Sequence, residues 1–269
     1  MSFTVLMSLY SKSDKLQFIN CLTSISKQSY LPNEIILIID GPIYFDLDEI
    51  FLQFPNLIIT KFYNKFNIGL AKSLNIGLEL SNNEIIFRMD TDDICLKNRF
   101  EIQYNFMLNN PNITICGCYA ELIDINSKLL KIVKKVPLFH KEITKQLSYK
   151  NPFIHPTVCF RKTQILNAGG YEDINLYEDW FLWFKLSKLH NIIFHNLDNV
   201  LLQYRIRSFS ERKGLQIIKF EVKFLLTLYK KKYINLFTLI INLFLKTTIR
   251  FMPTKIYIMI KIFFENKSL

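Results

Sequence analysis

The chain has 269 residues, 50% of them hydrophobic, only seven glycines, and a formal net charge of +11. That length suits one large domain with an appendage, and the apolar content excludes disordered and collagen-like chains. Ten lysines and two arginines stand against Glu221 and Glu265 between Arg212 and Leu269, so the excess charge belongs to the C-terminal tail rather than to the whole surface.

The opening "MSFTVLMSLYSK" has no basic start and too short an apolar run for a signal peptide, so a cytoplasmic location is expected. Four apolar runs follow, at 3–9, 34–39, 56–62 and 84–89. They are continuous rather than alternating, as strands buried on both faces of a parallel sheet are. Phe18, Leu22 and Ile25 form a helical stripe between the first two runs. Leu70, Leu74 and Leu78 form another before the fourth. Strand and helix alternate, which predicts an α/β doubly wound sheet.

Further along, Lys97–Leu108 reads as a helix stopped by "NNP". Residues 113–124 read as a strand with a hairpin partner at 127–136. Residues 177–190 read as an amphipathic helix rich in aromatics, followed by late strands at 191–195 and 199–206. The five cysteines (21, 95, 116, 118 and 159) include no Cys-x-x-Cys pair. They read as small core residues in a reducing compartment, not as zinc ligands.

The tail is apolar as well as basic. Asn235, Thr238, Asn242, Lys246 and Arg250 keep one narrow polar stripe on a helix, and Pro253 breaks it. The apolar run is too short to span a bilayer. An in-plane helix on an anionic membrane surface is expected. The alternative is a helix docked on the protein's own core or on a second subunit. A tail this apolar, without an arginine-rich face, does not fit nucleic acid.

In open α/β sheets, ligands bind beyond the carboxyl ends of the strands. Asp40 ends one predicted strand and is followed by Gly41. Asp90 ends another and opens "DTDD", with Asp92 and Asp93. Three carboxylates so close repel one another, and a hard cation such as Mg²⁺ or Mn²⁺ would relieve them. A solvated turn is the plainer reading of the same residues. No dinucleotide or P-loop glycine pattern occurs.

Three blocks of sequence, "SFTVLMSLYSKSDKLQFINCLTSISKQSYLPNEIILIIDGP", "NIGLAKSLNIGLELSNNEIIFRMDTDDICLKNRFEIQ" and "HPTVCFRKTQILNAGGYED…YEDWFLWFKLSK", resemble the family 2 glycosyltransferases. The likeness is greatest to bacterial enzymes building capsule, exopolysaccharide or O-antigen. It covers roughly residues 2–207, and the blocks keep the family's order. It implies the nucleotide-diphospho-sugar transferase (GT-A) fold over 1–210; the charge and apolar pattern make 211–269 a basic, amphipathic tail expected to associate with membrane. It also implies inverting transfer from a nucleotide sugar, most often a UDP-sugar, with Mn²⁺ or Mg²⁺, to a glycan or lipid-linked acceptor on the inner face of the cytoplasmic membrane.

By the same resemblance, Ser8, Tyr10, Asp40, Lys72 and Asp90 line the nucleotide site, and Asp92 is the direct metal ligand. Asp179 is the catalytic base, with Glu178 beside it; the helix dipole at its position favours the ionised form. Arg99, His155, Glu178 and Arg207 are candidates for phosphate or acceptor contacts. Arg207 stands where many relatives have histidine. Two rival readings are a sugar nucleotidyltransferase, disfavoured by the lack of glycine in "SLYSKSDKLQF", and a non-catalytic scaffold of a polysaccharide assembly complex.

Overall fold

The computed structural model describes residues 2–206 and 215–251. The chain begins β1 (Phe3–Tyr10), α1 (Lys15–Ser26), β2 (Glu34–Asp40), α2 (Leu47–Phe51), β3 (Ile59–Asn64), α3 (Leu70–Leu80) and β4 (Ile85–Arg88). β1 lies between β2 and β4, and β3 adds outside β2, all parallel. Asp14 caps α1 by accepting from the Gln17 amide at 2.8 Å, satisfying a helix-end donor. Phe18, Leu22 and Ile25 fill the core on one face of the sheet, and Ala71, Leu74 and Leu78 that on the other.

The third apolar run behaves differently from its expectation. β3 starts at Ile59 and has no fully buried residue, with Phe62 and Tyr63 exposed on opposite faces. It is the outermost strand beyond β2, so neither of its faces is fully covered.

The second half continues with β5 (Ile94–Cys95), α4 (Arg99–Asn109), β6 (Ile113–Ile123), β7 (Leu129–Lys134) and α5 (His140–Leu147). A 3-10 turn (His155–Thr157), β8 (Cys159–Arg161), α6 (Lys162–Asn167), α7 (Glu178–Leu186) and β9 (Ile193–Arg205) follow. The sheet runs β3-β2-β1-β4-β8-β6-β9-β5, with β7 on β6 as the expected hairpin. β8 enters antiparallel between β4 and β6, while β6 and β9 are parallel. The parallel first half thus passes into a mixed second half. The two late strands are one long β9, whose register against β6 shifts between Cys118 and Ala120. All five cysteines are buried and unbridged.

The tail continues with α8 (Leu215–Lys230) and α9 (Leu236–Phe251). Phe224, Leu225, Leu228, Ile234 and Leu239 pack into the core beside α7. The polar stripe of α9 turns inward: Asn242 is buried and donates to the Ser148 carbonyl at 2.9 Å. Lys246 and Arg250 reach Glu221 of α8 at 3.2 and 3.1 Å. Leu236, Phe237, Ile240, Phe244 and Leu245 are left exposed. Docking on the protein's own core therefore accounts for the inner face and leaves the outer one apolar. Among the described residues, no helix is long and apolar enough to cross a membrane.

Candidate active site

The carboxyl ends of β1, β2 and β4 open onto a cleft of about 420 Å³, whose lining includes Ser8, Tyr10, Asp40, Asn67, Asp90 and Asp92. Sequence reading had placed five of these six in a site; Asn67 is new. Asp40 is 3% exposed. Its carboxylate accepts from the amides of Ile68 and Gly69 at 2.8 and 3.0 Å and from Asn64 Nδ2 at 3.0 Å. It ties down the 64–69 loop that forms one wall. Gly41 has φ +87°, and a Cβ there would lie 2.7 Å from the Asn67 amide nitrogen. Only glycine fits that turn.

Asp90, Asp92 and Asp93 bring one carboxylate oxygen each within 4.8 Å of the others. Asp90 pairs with Arg88. Asp93 is buried; its Oδ1 accepts from the Arg205 amide at 2.7 Å, while Oδ2 has no hydrogen-bond partner among the described residues. Burial and the charges of Asp90 and Asp92 push the Asp93 carboxyl well above its ordinary range. The donors are all carboxylate oxygens and one buried oxygen is orphaned, so the cluster fits a hard divalent cation.

Arg205 holds this turn in place. Its Nε donates to the Asp92 carbonyl at 2.6 Å, and its Nη1 to the Asp124 carbonyl at 2.7 Å in the β6–β7 turn. Sequence reading singled out Arg207 in the same "YRIR" stretch; Arg207 lies outside the described residues. A buried arginine at a strand end carries no periodic signal, so Arg205 was missed.

A second acidic pair opens α7. Asp179 Oδ2 accepts from Asn151 Nδ2 at 2.7 Å and its Oδ1 from the Trp180 amide at 2.7 Å. Burial nevertheless raises its pKa above the ordinary aspartate value, against those bonds and the charges of Arg88 and Lys134. The expected helix-end stabilisation is present as the Trp180 amide, but desolvation outweighs it. Burial also raises Glu178, to about 7. A raised carboxyl is a stronger base once ionised.

His155 Nε2 lies 3.1 Å from the Tyr171 hydroxyl. Burial, then the charge of Arg88, holds the imidazole neutral well below its usual range. Arg88 joins the two acidic groups. Only 3% of its side chain is exposed, its Nη2 pairs with Asp90, and its charge is felt at Asp93, Asp179, His155 and Tyr171. It sits in "FRMD" beside residues that sequence reading had marked, without a pattern of its own to mark it.

Two candidates lie elsewhere. The Lys72 side chain is 59% exposed and 4.0 Å from Asp173; it is outside the cleft lining. Arg99 requires a correction. It is fully buried beneath the aspartate turn, donates to the Arg88 carbonyl at 2.9 Å and to Gln103 Oε1 at 3.1 Å, and lies against the rings of Phe87 and Phe100. No phosphate reaches it in this arrangement.

The family model described as Glycosyl transferase family 2 matches residues 4–170. The amylovoran biosynthesis glycosyltransferase AmsE of Erwinia amylovora is 34% identical over 257 residues, covering 94% of this chain and 96% of that protein. A UDP-Gal:alpha-D-GlcNAc-diphosphoundecaprenol beta-1,3-galactosyltransferase of Escherichia coli is 33% identical, covering 94% of this chain and 92% of its own length. Among solved structures, S. aureus TarS 1-349 in complex with UDP-GlcNAc superposes with a TM-score of 0.60 at 15% identity, over 84% of this chain and 66% of that one. The last likeness shows the GT-A type of fold, in a longer protein of which this chain matches a part.

Proposed function

Because the chain belongs to glycosyl transferase family 2, of the bacterial capsule and O-antigen type, and is a glycosyltransferase, we propose that it transfers a hexose from a UDP-sugar, with inversion, to a hydroxyl of a lipid-linked saccharide. The observation that carries this reading is the cleft where Ser8, Tyr10 and Asp40 meet Asp90 and Asp92. UDP and its sugars would lie there, with Asp90 toward the ribose. The donor and acceptor classes are those in the name of the Escherichia coli relative, UDP-Gal and GlcNAc-diphosphoundecaprenol joined by a β-1,3 linkage. A β product from an α-linked UDP-hexose means inversion.

Asp92 would hold Mn²⁺ or Mg²⁺ most directly, with Asp93 and Asp90 beside it, and the ion would supply charge neutralisation to a departing diphosphate. Asp179 takes the proton from the attacking hydroxyl, and its raised pKa makes it the better base for that step. Glu178, partly protonated near neutral pH, and the neutral His155 offer hydrogen bonds to the acceptor. Arg88 lies between the two groups as a fixed positive charge. The exposed apolar face of α9, with the exposed lysines 219, 223 and 230–232 nearby in the chain, would rest on the anionic inner leaflet of the cytoplasmic membrane, beside a lipid-linked acceptor.

The test is a thermal-shift panel of UDP-, GDP-, dTDP- and CMP-sugars with and without MnCl₂, followed by transfer to a synthetic GlcNAc-diphospholipid. A shift with UDP-sugars that needs the metal, and a product with inverted configuration, are expected. Binding confined to another nucleotide, or no transfer with either metal, refutes the donor assignment or the reaction respectively.

A further inference from the structure

The residues on either side of the two helix-start acids are held by the C-terminal helices. Tyr177 and Trp180 bracket Glu178 and Asp179, and both are at most 9% exposed. The Tyr177 ring stacks on Phe224 of α8, with centroids 4.7 Å apart and 10° between planes. Trp180 meets the same ring at 5.0 Å, and the Lys246 ammonium of α9 lies 4.6 Å over the indole. The indole N–H donates to the Leu147 carbonyl of α5 at 2.8 Å.

A polar cluster closes the assembly from behind. Glu221, one helical turn before Phe224, is 4% exposed and receives Lys246 and Arg250. The Tyr177 hydroxyl lies beside this cluster, close enough for Glu221 and Arg250 to act on its ionisation. A buried ion cluster of this kind loses hydration that an apolar seam would never have needed to lose, and its best-attested use is to enforce one arrangement. Here the cluster joins α8 to α9 and borders the start of α7 at Tyr177. Aromatic pairs in fixed geometry add to that constraint.

We propose that Glu221 and Phe224 are positioning residues for sugar transfer, setting from α8 the places of Tyr177 and Trp180 and so aiming Asp179 at the acceptor hydroxyl. The inference rests on Asp179 being the base. α8 and α9 are then part of the catalytic architecture as well as the face turned outward. A displacement of the base of about 1 Å is enough to cost on the order of a hundredfold in rate.

The test compares Phe224→Leu, Glu221→Gln and Tyr177→Phe with wild type and with Phe224→Tyr, which keeps the ring. Transfer from UDP-galactose to a synthetic GlcNAc-diphospholipid is measured with MnCl₂, each protein at the same interval below its own melting temperature. Tyr177→Phe removes one hydroxyl and keeps the stack, so it remains informative where a larger change prevents folding. The first two variants are expected to lower kcat at least tenfold, with the UDP-galactose KM and the UDP-induced thermal shift unchanged. Tyr177→Phe is expected to lower kcat severalfold, and Phe224→Tyr to restore it. The two tryptophans of the chain, Trp180 and Trp183, both lie in α7. With Trp183→Phe in the background, the Trp180 emission should shift in Phe224→Leu without any sugar present. An active wild type whose folded variants all keep kcat within twofold overturns the positioning role alone. A wild type that transfers nothing overturns the reading of Asp179 and this one with it.

Discussion

Arg88 and Asp90, two residues apart at the end of β4, form an ion pair in which the arginine is buried and the aspartate is about one-third exposed. Arg88 Nε and Nη1 have no hydrogen-bond partner among the described residues. The guanidinium therefore offsets carboxylate charge at the cleft without being saturated by it. It also competes with a cation for the same acidic cluster. Arg88→Met should bind Mn²⁺ more tightly, by roughly tenfold, because a like charge is removed, while transfer falls by about a hundredfold. Thermal-shift titration with MnCl₂ and a rate assay together check this; weaker Mn²⁺ binding would contradict it.

Asp93 is buried beside two other carboxylates, with one oxygen committed to the Arg205 amide. Asp93→Asn can keep that acceptor and sheds the repulsion. It should raise the melting temperature of the metal-free protein by roughly 5 °C, corresponding to about 1–2 kcal/mol. The additional stabilisation by MnCl₂ should shrink. A lower melting temperature without metal would contradict this account of the cluster.

Asp179 and Glu178 are raised by burial, Glu178 to about 7. For catalysis the ionised base is needed, so the rate falls as pH drops through the Asp179 value, above the ordinary aspartate range. For stability the sign is opposite. The folded protein holds the Glu178 proton more tightly than the unfolded chain does. Its contribution is present at low pH and is lost as pH rises from about 4.5 through 7. Glu178→Gln should therefore be relatively more stabilising at pH 8 than at pH 5, by urea unfolding at both. Asp179→Asn should lose transfer by at least about a thousandfold and keep the UDP-induced shift.

Arg99 works by holding the Arg88 carbonyl and Gln103 inside the core. Arg99→Met should destabilise the fold by about 2–4 kcal/mol, through lost hydrogen bonds to buried acceptors. Donor KM should be unchanged in the folded fraction. A phosphate-binding arginine would give the reverse pattern, a raised KM with little loss of stability.

Phe237 and Phe244 are each 70% exposed on α9. Replacing both with serine should change stability by no more than about 0.5 kcal/mol. Sedimentation with vesicles containing anionic phospholipid should fall by at least about tenfold, since each ring would contribute about 1.5–3 kcal/mol on full burial in lipid. Vesicle binding that is absent in wild type, or untouched by the change, would assign the face to something other than lipid.

What the sequence determined by itself was local periodicity and order. Continuous apolar runs ending in Asp40 and Asp90 put those acids at the carboxyl edge of a parallel sheet, and the order of the blocks carried the family resemblance. Ser8, Tyr10, Asp40, Asp90 and Asp92 share one cleft lining, while Lys72 lies outside it. Only the tertiary structure decided the fates of the arginines. Arg88, Arg99 and Arg205 look alike in a sequence, but one pairs with Asp90, one serves the core and one ties the aspartate turn to β9. It also decided the acidity of Asp179, since the desolvation that raises it comes from packing around α7, while the helix-end effect visible in sequence is smaller. The polar stripe of α9 was equally legible, but not its direction. Glu221 and Ser148 sit far away in the chain and turn it inward, leaving the apolar face outside. Periodicity is encoded by neighbours in sequence; burial and charge pairing belong to neighbours in space, which only the packed chain supplies.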